Sequence, residues 1–221
     1  FNMVYDYIEH NKIWHSSETM FENINQIDPG SIMEFNGIDV NFKEYYNILK
    51  DKKKSTKSIK KIFKDSVNLR LRSDVQVGTM LSGGIDSTLI TSYAKKIKKD
   101  LKTYSIIFGD GKTDPEINFM KNTSKSLDLD SDYIKIEHDS YSSEDLIKTI
   151  EFPFRSFTVP SQRKLFEHVK KTSDVKVLLS GEGADEVFSG YNIHAYIYII
   201  SLIKKINFKK AIYEIHHLSI L

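Results

Sequence analysis

From about residue 57 the apolar positions alternate between two spacings. Helix-like spacing over 57–70, with Ile59, Ile62, Phe63 and Val67 on one face, gives way to the short apolar run 75–81 (VQVGTML). The exchange then repeats as helix 87–98, strand 102–108, helix 115–127 and strand 132–137. Helices 143–151 and 161–171, strand 175–179 and a helix from 184 onward complete the pattern. Strands separated by helices of this length predict an α/β domain, a parallel sheet flanked by helices with right-handed crossovers. Ahead of it, residues 1 to about 40 carry short apolar runs between turn signals: Asp28-Pro29-Gly30, then 31–35 (SIMEF), then Asn36-Gly37. Asn-Gly between strand-like runs predicts a hairpin, a short antiparallel remnant. Residues 41–56 are polar and lysine-rich and read as a linker or an exposed helix. The stretch 196–203 (YIYIISLI) is far too short to cross a membrane and reads as a buried helix.

Candidate chemistry sits in the turns. Leu81-Ser82-Gly83-Gly84-Ile85-Asp86-Ser87 joins the first strand of the alternating region to its helix. Two glycines remove the Cβ atoms that would hold a phosphate off the backbone. The amides at the helix start and the positive end of its dipole then make an anion cradle. Ser82 and Ser87 add hydroxyls, while Asp86 would repel phosphate and so suits a Mg²⁺ ion that neutralises pyrophosphate. No run of the Walker type, a glycine and four variable residues before Gly-Lys-Ser/Thr, occurs. An ordinary capped Gly-Gly turn is the alternative. A second glycine-rich turn, Ser180 to Tyr191 (SGEGADEVFSGY), follows the apolar run 175–179 and places Glu182, Asp185 and Glu186 within five residues. A solvated helix start with acidic first-turn residues is its bland reading. Both turns fall at the carboxyl ends of strands, where open α/β sheets bind ligands.

The first turn resembles the PP-loop of ATP pyrophosphatases, and the second resembles the signature of the glutamine-hydrolysing asparagine synthetases. Residues 66–87, Tyr104 to Phe108, Pro153-Phe154-Arg155-Ser156 with Gln162, and Asp28-Pro29-Gly30 are similar to further segments of that family. The resemblance runs with gaps over about residues 20–195 and implies an adenine nucleotide alpha hydrolase-like PP-loop fold over 57–221. It also implies that residues 1–40 are the tail of an amino-terminal, Ntn-type glutaminase domain. The implied activity is adenylation of a carboxylate by ATP with Mg²⁺, aspartate being the family default, then transfer of ammonia from the glutaminase domain. Ser82, Gly83, Gly84, Asp86 and Ser87 would cradle pyrophosphate, with Mg²⁺ on Asp86 and Asp185. Leu81 and Ile106 would meet adenine and its ribose through backbone, and Ser180 and Gly181 would close over the ribose and α-phosphate. Glu182 is the candidate base for ammonia, and Asp185 has a competing role on the acceptor's amino group. A sugar acid as acceptor and a non-catalytic nucleotide-binding remnant remain alternatives.

The chain departs from the family too. The glutamine-hydrolysing cysteine and nearly all of its domain are missing, as are the carboxy-terminal helices that supply a lysine and an Arg-x-Pro-Phe motif. Ser131-Asp132 stands where many members carry a histidine. With no initiating Met, the chain reads as a fragment, and the full-length form is compatible with a homodimer.

Composition excludes other functions. With 221 residues, 40% of them hydrophobic, the chain can hold one full α/β domain and a piece of another. A net charge of +2 gives no case for nucleic acid. The lysines from Lys50 to Lys64 overlap the amphipathic pattern and read as a solvated helix face. There is no cysteine, so disulfides and thiolate metal sites are excluded. His10, His15, His138, His168 and His194 are scattered and His216-His217 are adjacent, none with metal-ligand spacing, and no Gly-x-Ser-x-Gly elbow occurs. Without a signal peptide or membrane span, a cytoplasmic setting is expected.

Overall fold

A computed structural model describes all residues except 1, 14, 51–57, 110–115, 137–142, 152, 155 and 219–221. Residues 51–56 of the expected linker, the starts of the helices expected from 57 and from 115, the end of the strand expected to 137, His138 and Arg155 thus lie outside the described residues. Two units form, one from residues 1–58 with 147–153 and one from 59–146 with 154–221.

The first unit opens with helix α1 (Asn2–His10), where the sequence pattern promised only short runs and turns. Strands β1 (Ser31–Phe35) and β2 (Val40–Glu44) pair antiparallel, Phe35 opposite Val40. The hairpin loop is the four residues 36–39 rather than a two-residue Asn-Gly turn. Asn36 Oδ1 accepts the amides of Ile38 at 2.9 Å and Asp39 at 2.7 Å, so the side chain supplies the turn's second wall. Residues 41–44 are therefore strand, not linker.

The second unit begins with helix α2 (Ile59–Arg70), followed by β3 (Gln76–Met80), α3 (Ile85–Ile97) and β4 (Lys102–Phe108). Next come α4 (Glu116–Ser126), β5 (Asp130–Ile136), α5 (Ser143–Ile150, counted with the first unit from Ile147 on), α6 (Thr158–Thr172) and β6 (Val175–Leu179). Helix α6 starts before the expected 161 because Pro160 falls in its first turn, where a missing N–H costs nothing. All pairings among β3 to β6 are parallel, in the order β5-β4-β3-β6.

The two faces of the sheet carry separate cores. Val77 and Leu101 pack with Val67 and Leu71 and with Ala94 of α3 on one face. On the other, Tyr104, Ile134 and Val175 pack against Leu165 and Val169 of α6. The chain adds β4 and β5 on one side of β3, then returns to place β6 on the other side. Strand order therefore reverses between β3 and β6, the crevice where open α/β sheets take ligands.

Beyond β6 the expected single helix is three: α7 (Ala184–Phe188), α8 (Asn192–Lys204) and α9 (Phe208–Leu218). The backbone turns left-handed at Ser189 (φ 62°) and again at Ile206 (φ 58°), which ends each helix. The stretch 196–203 is helical but not buried throughout: Ile199 and Leu202 pack with Ala211 of α9, whereas Tyr196 and Ile197 are exposed. No described helix is long and apolar enough to cross a membrane.

Candidate active site

The loop after β3 is held by its own hydroxyls. Leu81 donates its amide to the Tyr104 carbonyl at 2.9 Å and accepts the Ser105 hydroxyl at 2.7 Å, so its backbone is fixed to β4. Ser87 Oγ donates to the Gly84 carbonyl at 3.2 Å and accepts the Ser82 amide at 3.2 Å. With that proton spent, the 2.9 Å contact between the two hydroxyls has Ser82 donating, and Ser82 Oγ accepts the Gly84 amide at 3.3 Å. Both hydroxyl protons are thus used inside the loop. Its donors toward a ligand are backbone amides.

Gly84 is the N-cap of α3 with extended backbone (φ −69°, ψ 164°), and no side chain caps the helix. The first-turn amides of α3 consequently remain for an anion, with the helix dipole behind them. Gly83 has φ 87°, which bends the loop over α4; a Cβ there would lie 2.9 Å from the Glu116 carbonyl.

The second glycine-rich turn meets the first at this helix start. A Cβ on Gly181 would lie 3.0 Å from Ser87 N and 3.0 Å from Asp86 Cβ. Only glycine brings the turn after β6 that close to the N-terminus of α3. Gly190 has a related task, since any Cβ there would overlap the Asp185 carboxylate. The three carboxylates of this turn have different surroundings. Gln162 Nε2 donates to Glu182 Oε1, and Tyr191 Oη donates to Glu186 Oε1 at 2.9 Å. That bond, with burial and the charges of Glu186 and Asp185 behind it, holds the Tyr191 phenol above its ordinary value.

A cleft of about 620 Å³ opens between the two turns. Leu81, Ser82, Gly84, Asp86, Ser87 and Ile106 line it from the β3–β4 side, and Ser180, Gly181, Glu182 and Asp185 from the β6 side. Of the residues expected in the site, only Gly83 does not line the cleft; it shapes the loop from behind. Ile106 has the same parity as Tyr104, so its peptide groups point past the end of β3 into this space. Met80, Ile106 and Phe108 give the cleft an apolar part. Five carboxylates, Asp86, Glu116, Glu182, Asp185 and Glu186, also line it, with no Lys, Arg or His among the described lining residues. Such a cleft accepts a flat apolar ring at one end, an anion at the helix start, and cations along the acidic side.

The family model for asparagine synthase matches residues 58–214, which takes in both turns and the whole sheet. The chain belongs to the asparagine synthase family. It is 34% identical over 183 residues to glutamine-hydrolyzing asparagine synthetase 1 of Bacillus subtilis (strain 168), covering 80% of this chain and 29% of that protein. With glutamine-hydrolyzing asparagine synthetase 3 of the same organism it shares 28% identity over 198 residues, or 78% of this chain and 31% of that one. The chain therefore spans about three tenths of the length of these curated relatives. Among solved structures it superposes on the NH3-dependent NAD synthetase from Campylobacter jejuni subsp. jejuni NCTC 11168 with a TM-score of 0.41. That match has 17% identity and covers 60% of this chain and 58% of the other.

Several residues of this asparagine synthase domain's cleft were not read as site residues in the sequence. Thr158, Ser161, Gln162 and Leu165 line it from α6. Their spacing of i, i+3, i+4 and i+7 is one face of a helix, and that periodicity was the available signal. Glu116 enters at the start of α4, with nothing in its local sequence to mark it.

Proposed function

We propose that this chain is the ATP-cleaving core of an amide-forming ligase, which makes an acyl-adenylate and passes the acyl group to ammonia. The observation that carries the reading is the convergence of both glycine-rich turns on one helix N-terminus, Gly181 against the Ser87 amide. In the first half-reaction a carboxylate oxygen of the acceptor attacks the α-phosphorus of ATP, and pyrophosphate leaves. The first-turn amides of α3, reached over the turn at Gly83 and Gly84, hold the pyrophosphate, oriented before charge develops on it. Backbone at Leu81 and Ile106 receives adenine, and Ser180 and Gly181 close over the ribose and α-phosphate. In the second half-reaction ammonia attacks the acyl carbon, Glu182 takes the proton it must lose, and AMP departs with the acceptor's oxygen.

The donor set suits Mg²⁺. A polyphosphate entering a cleft with five carboxylates needs a cation between them. Mg²⁺ is ordinarily held by one or two carboxylates together with substrate phosphates. Among the described residues no three or more His, Cys, Asp or Glu gather into a metal cage. Asp86 and Asp185 would hold the ion, which when bound neutralises charge on the leaving pyrophosphate. Asp185 has the competing assignment of receiving the acceptor's amino group.

The acceptor assigned here is aspartate, whose ammonium suits the acidic side of the cleft, with a sugar acid as the competing substrate. Residues 1–40 are assigned as the tail of an Ntn-type glutaminase domain that supplies ammonia, and 57–221 as the synthetase domain, in a cytoplasmic and homodimeric full-length protein. Incubation with ATP, Mg²⁺, ammonium and a panel of acids tests the reading. Pyrophosphate and amide should appear in equal amounts only with the accepted acid. Nucleotide binding without acid-dependent pyrophosphate would favour a non-catalytic remnant.

A further inference from the structure

Gln162 holds a position in the cleft that the glycine-rich turns do not explain. It lies on the face of α6 that lines the cleft, next to Ser161, whose hydroxyl donates to the Phe157 carbonyl at 2.7 Å. Leu165, 1% exposed, locks the next turn of the helix into the core beneath the sheet. From this fixed base the Gln162 side chain reaches across to the β6 turn, and its Nε2 donates to Glu182 Oε1. Among the described lining residues it is the one side-chain amide, beside hydroxyls and five carboxylates.

Resting on the reading of Glu182 as the base for ammonia, we infer that Gln162 is the positioning residue that selects and aims that carboxylate. Glu182 shares its turn with Asp185 and Glu186, and Glu186 is already engaged by Tyr191. Ammonia needs one acceptor oxygen pointed at the acyl carbon's neighbourhood and free of a permanent cation. A lysine at 162 would neutralise Glu182, whereas a carboxylate would push it away. An amide does neither. It occupies Oε1 as a donor, fixes the side chain's torsion, and leaves Oε2 to take the proton. The donor comes from a helix anchored in the opposite face's core, so Glu182 is aimed by α6 and not by its own turn. The turn itself can then close on nucleotide without setting the base.

A double-mutant cycle in the full-length protein, with ammonium supplied directly, tests this. Gln162→Leu keeps the volume and removes the donor, Glu182→Gln removes the base, and the double variant carries both. The readouts are ATP affinity by calorimetry and amide formed per pyrophosphate released. Gln162→Leu should leave ATP affinity within about twofold and lower the amide ratio about 10- to 100-fold, the range of a hydrogen bond to a charged group. In the Glu182→Gln background the same substitution should change the ratio less than about twofold, because its effect acts through Glu182. Gln162→Glu should lower the ratio further than Gln162→Leu does. Equal losses in both backgrounds, or an amide ratio untouched by Gln162→Leu, would overturn the inference. Loss of ATP affinity in Gln162→Leu would overturn it too, marking a structural role. Failure of the underlying reading looks different: Glu182→Gln alone would then keep the wild-type ratio.

Discussion

Substitution of Gly181 by alanine should uncouple nucleotide binding from folding in a measurable way. The added methyl would sit 3.0 Å from both Ser87 N and Asp86 Cβ. For Asp86 Cβ that is about half to one ångström inside the carbon–carbon optimum of ~3.5–4.0 Å. Both neighbours are backbone or backbone-proximal atoms at the start of α3, fixed by the Ser82–Ser87 hydroxyl bond of 2.9 Å, so neither can swing aside. The turn after β6 must retreat instead. Overpacking of this kind costs about 1–3 kcal/mol in stability. The Ser87 amide also becomes covered, removing one donor from a phosphate oxygen. A hydrogen bond to a charged group contributes about 1.5–3 kcal/mol, so ATP affinity should fall roughly 10- to 100-fold. Urea unfolding gives the first quantity, and calorimetric titration with ATP and Mg²⁺ well below the unfolding midpoint gives the second. A folded Gly181→Ala variant with wild-type ATP affinity would refute the claim that the two turns form one phosphate site.

Three further outcomes follow from the same geometry. Asp86→Ala should erase the gain in ATP affinity that Mg²⁺ brings, so that titrations with Mg²⁺ and with EDTA coincide; a persisting Mg²⁺ effect would move the ion elsewhere. With no cysteine in 221 residues, the purified chain should yield no glutamate from glutamine above a buffer control. Tyr191 ionises above its ordinary value because of Glu186 first, then burial, then the charges of Glu186 and Asp185. Spectrophotometric titration of Glu186→Ala should therefore show one tyrosine ionising earlier than in the wild type. The linked stability is fully present below the unfolded value of 10.0 and is lost as pH rises through the raised folded value.

Much of the α/β frame was legible because each element meets its own physical requirement locally. Short apolar runs such as 175–179 and helical faces such as Phe63 with Val67 need no partner to be recognised. The glycine-rich turns were legible for the same reason, as their spacing already excludes side chains. What could not be read depends on residues far apart in sequence. Glu182 meets Gln162 across 20 positions, and nothing local to either marks the pair. Ser82 and Ser87 read as separate hydroxyls, and their 2.9 Å contact with each other depends on the fold of the loop. The break after α7 rests on Ser189 in a left-handed conformation that few non-glycine residues adopt, so the apolar pattern runs straight through it. Helix α1 escapes the pattern because nine residues offer only about two and a half turns of periodicity.

The central claim is that a carboxylate is activated on the α-phosphorus of ATP at the meeting of the two turns. Acceptor acid labelled with ¹⁸O in its carboxylate, incubated with ATP, Mg²⁺, ammonium and the full-length protein, tests this most directly by mass spectrometry of the products. The account predicts one labelled oxygen in AMP for each amide formed, with unlabelled pyrophosphate. Label in inorganic phosphate with ADP as the nucleotide product, or amide formed with unlabelled AMP, would contradict it.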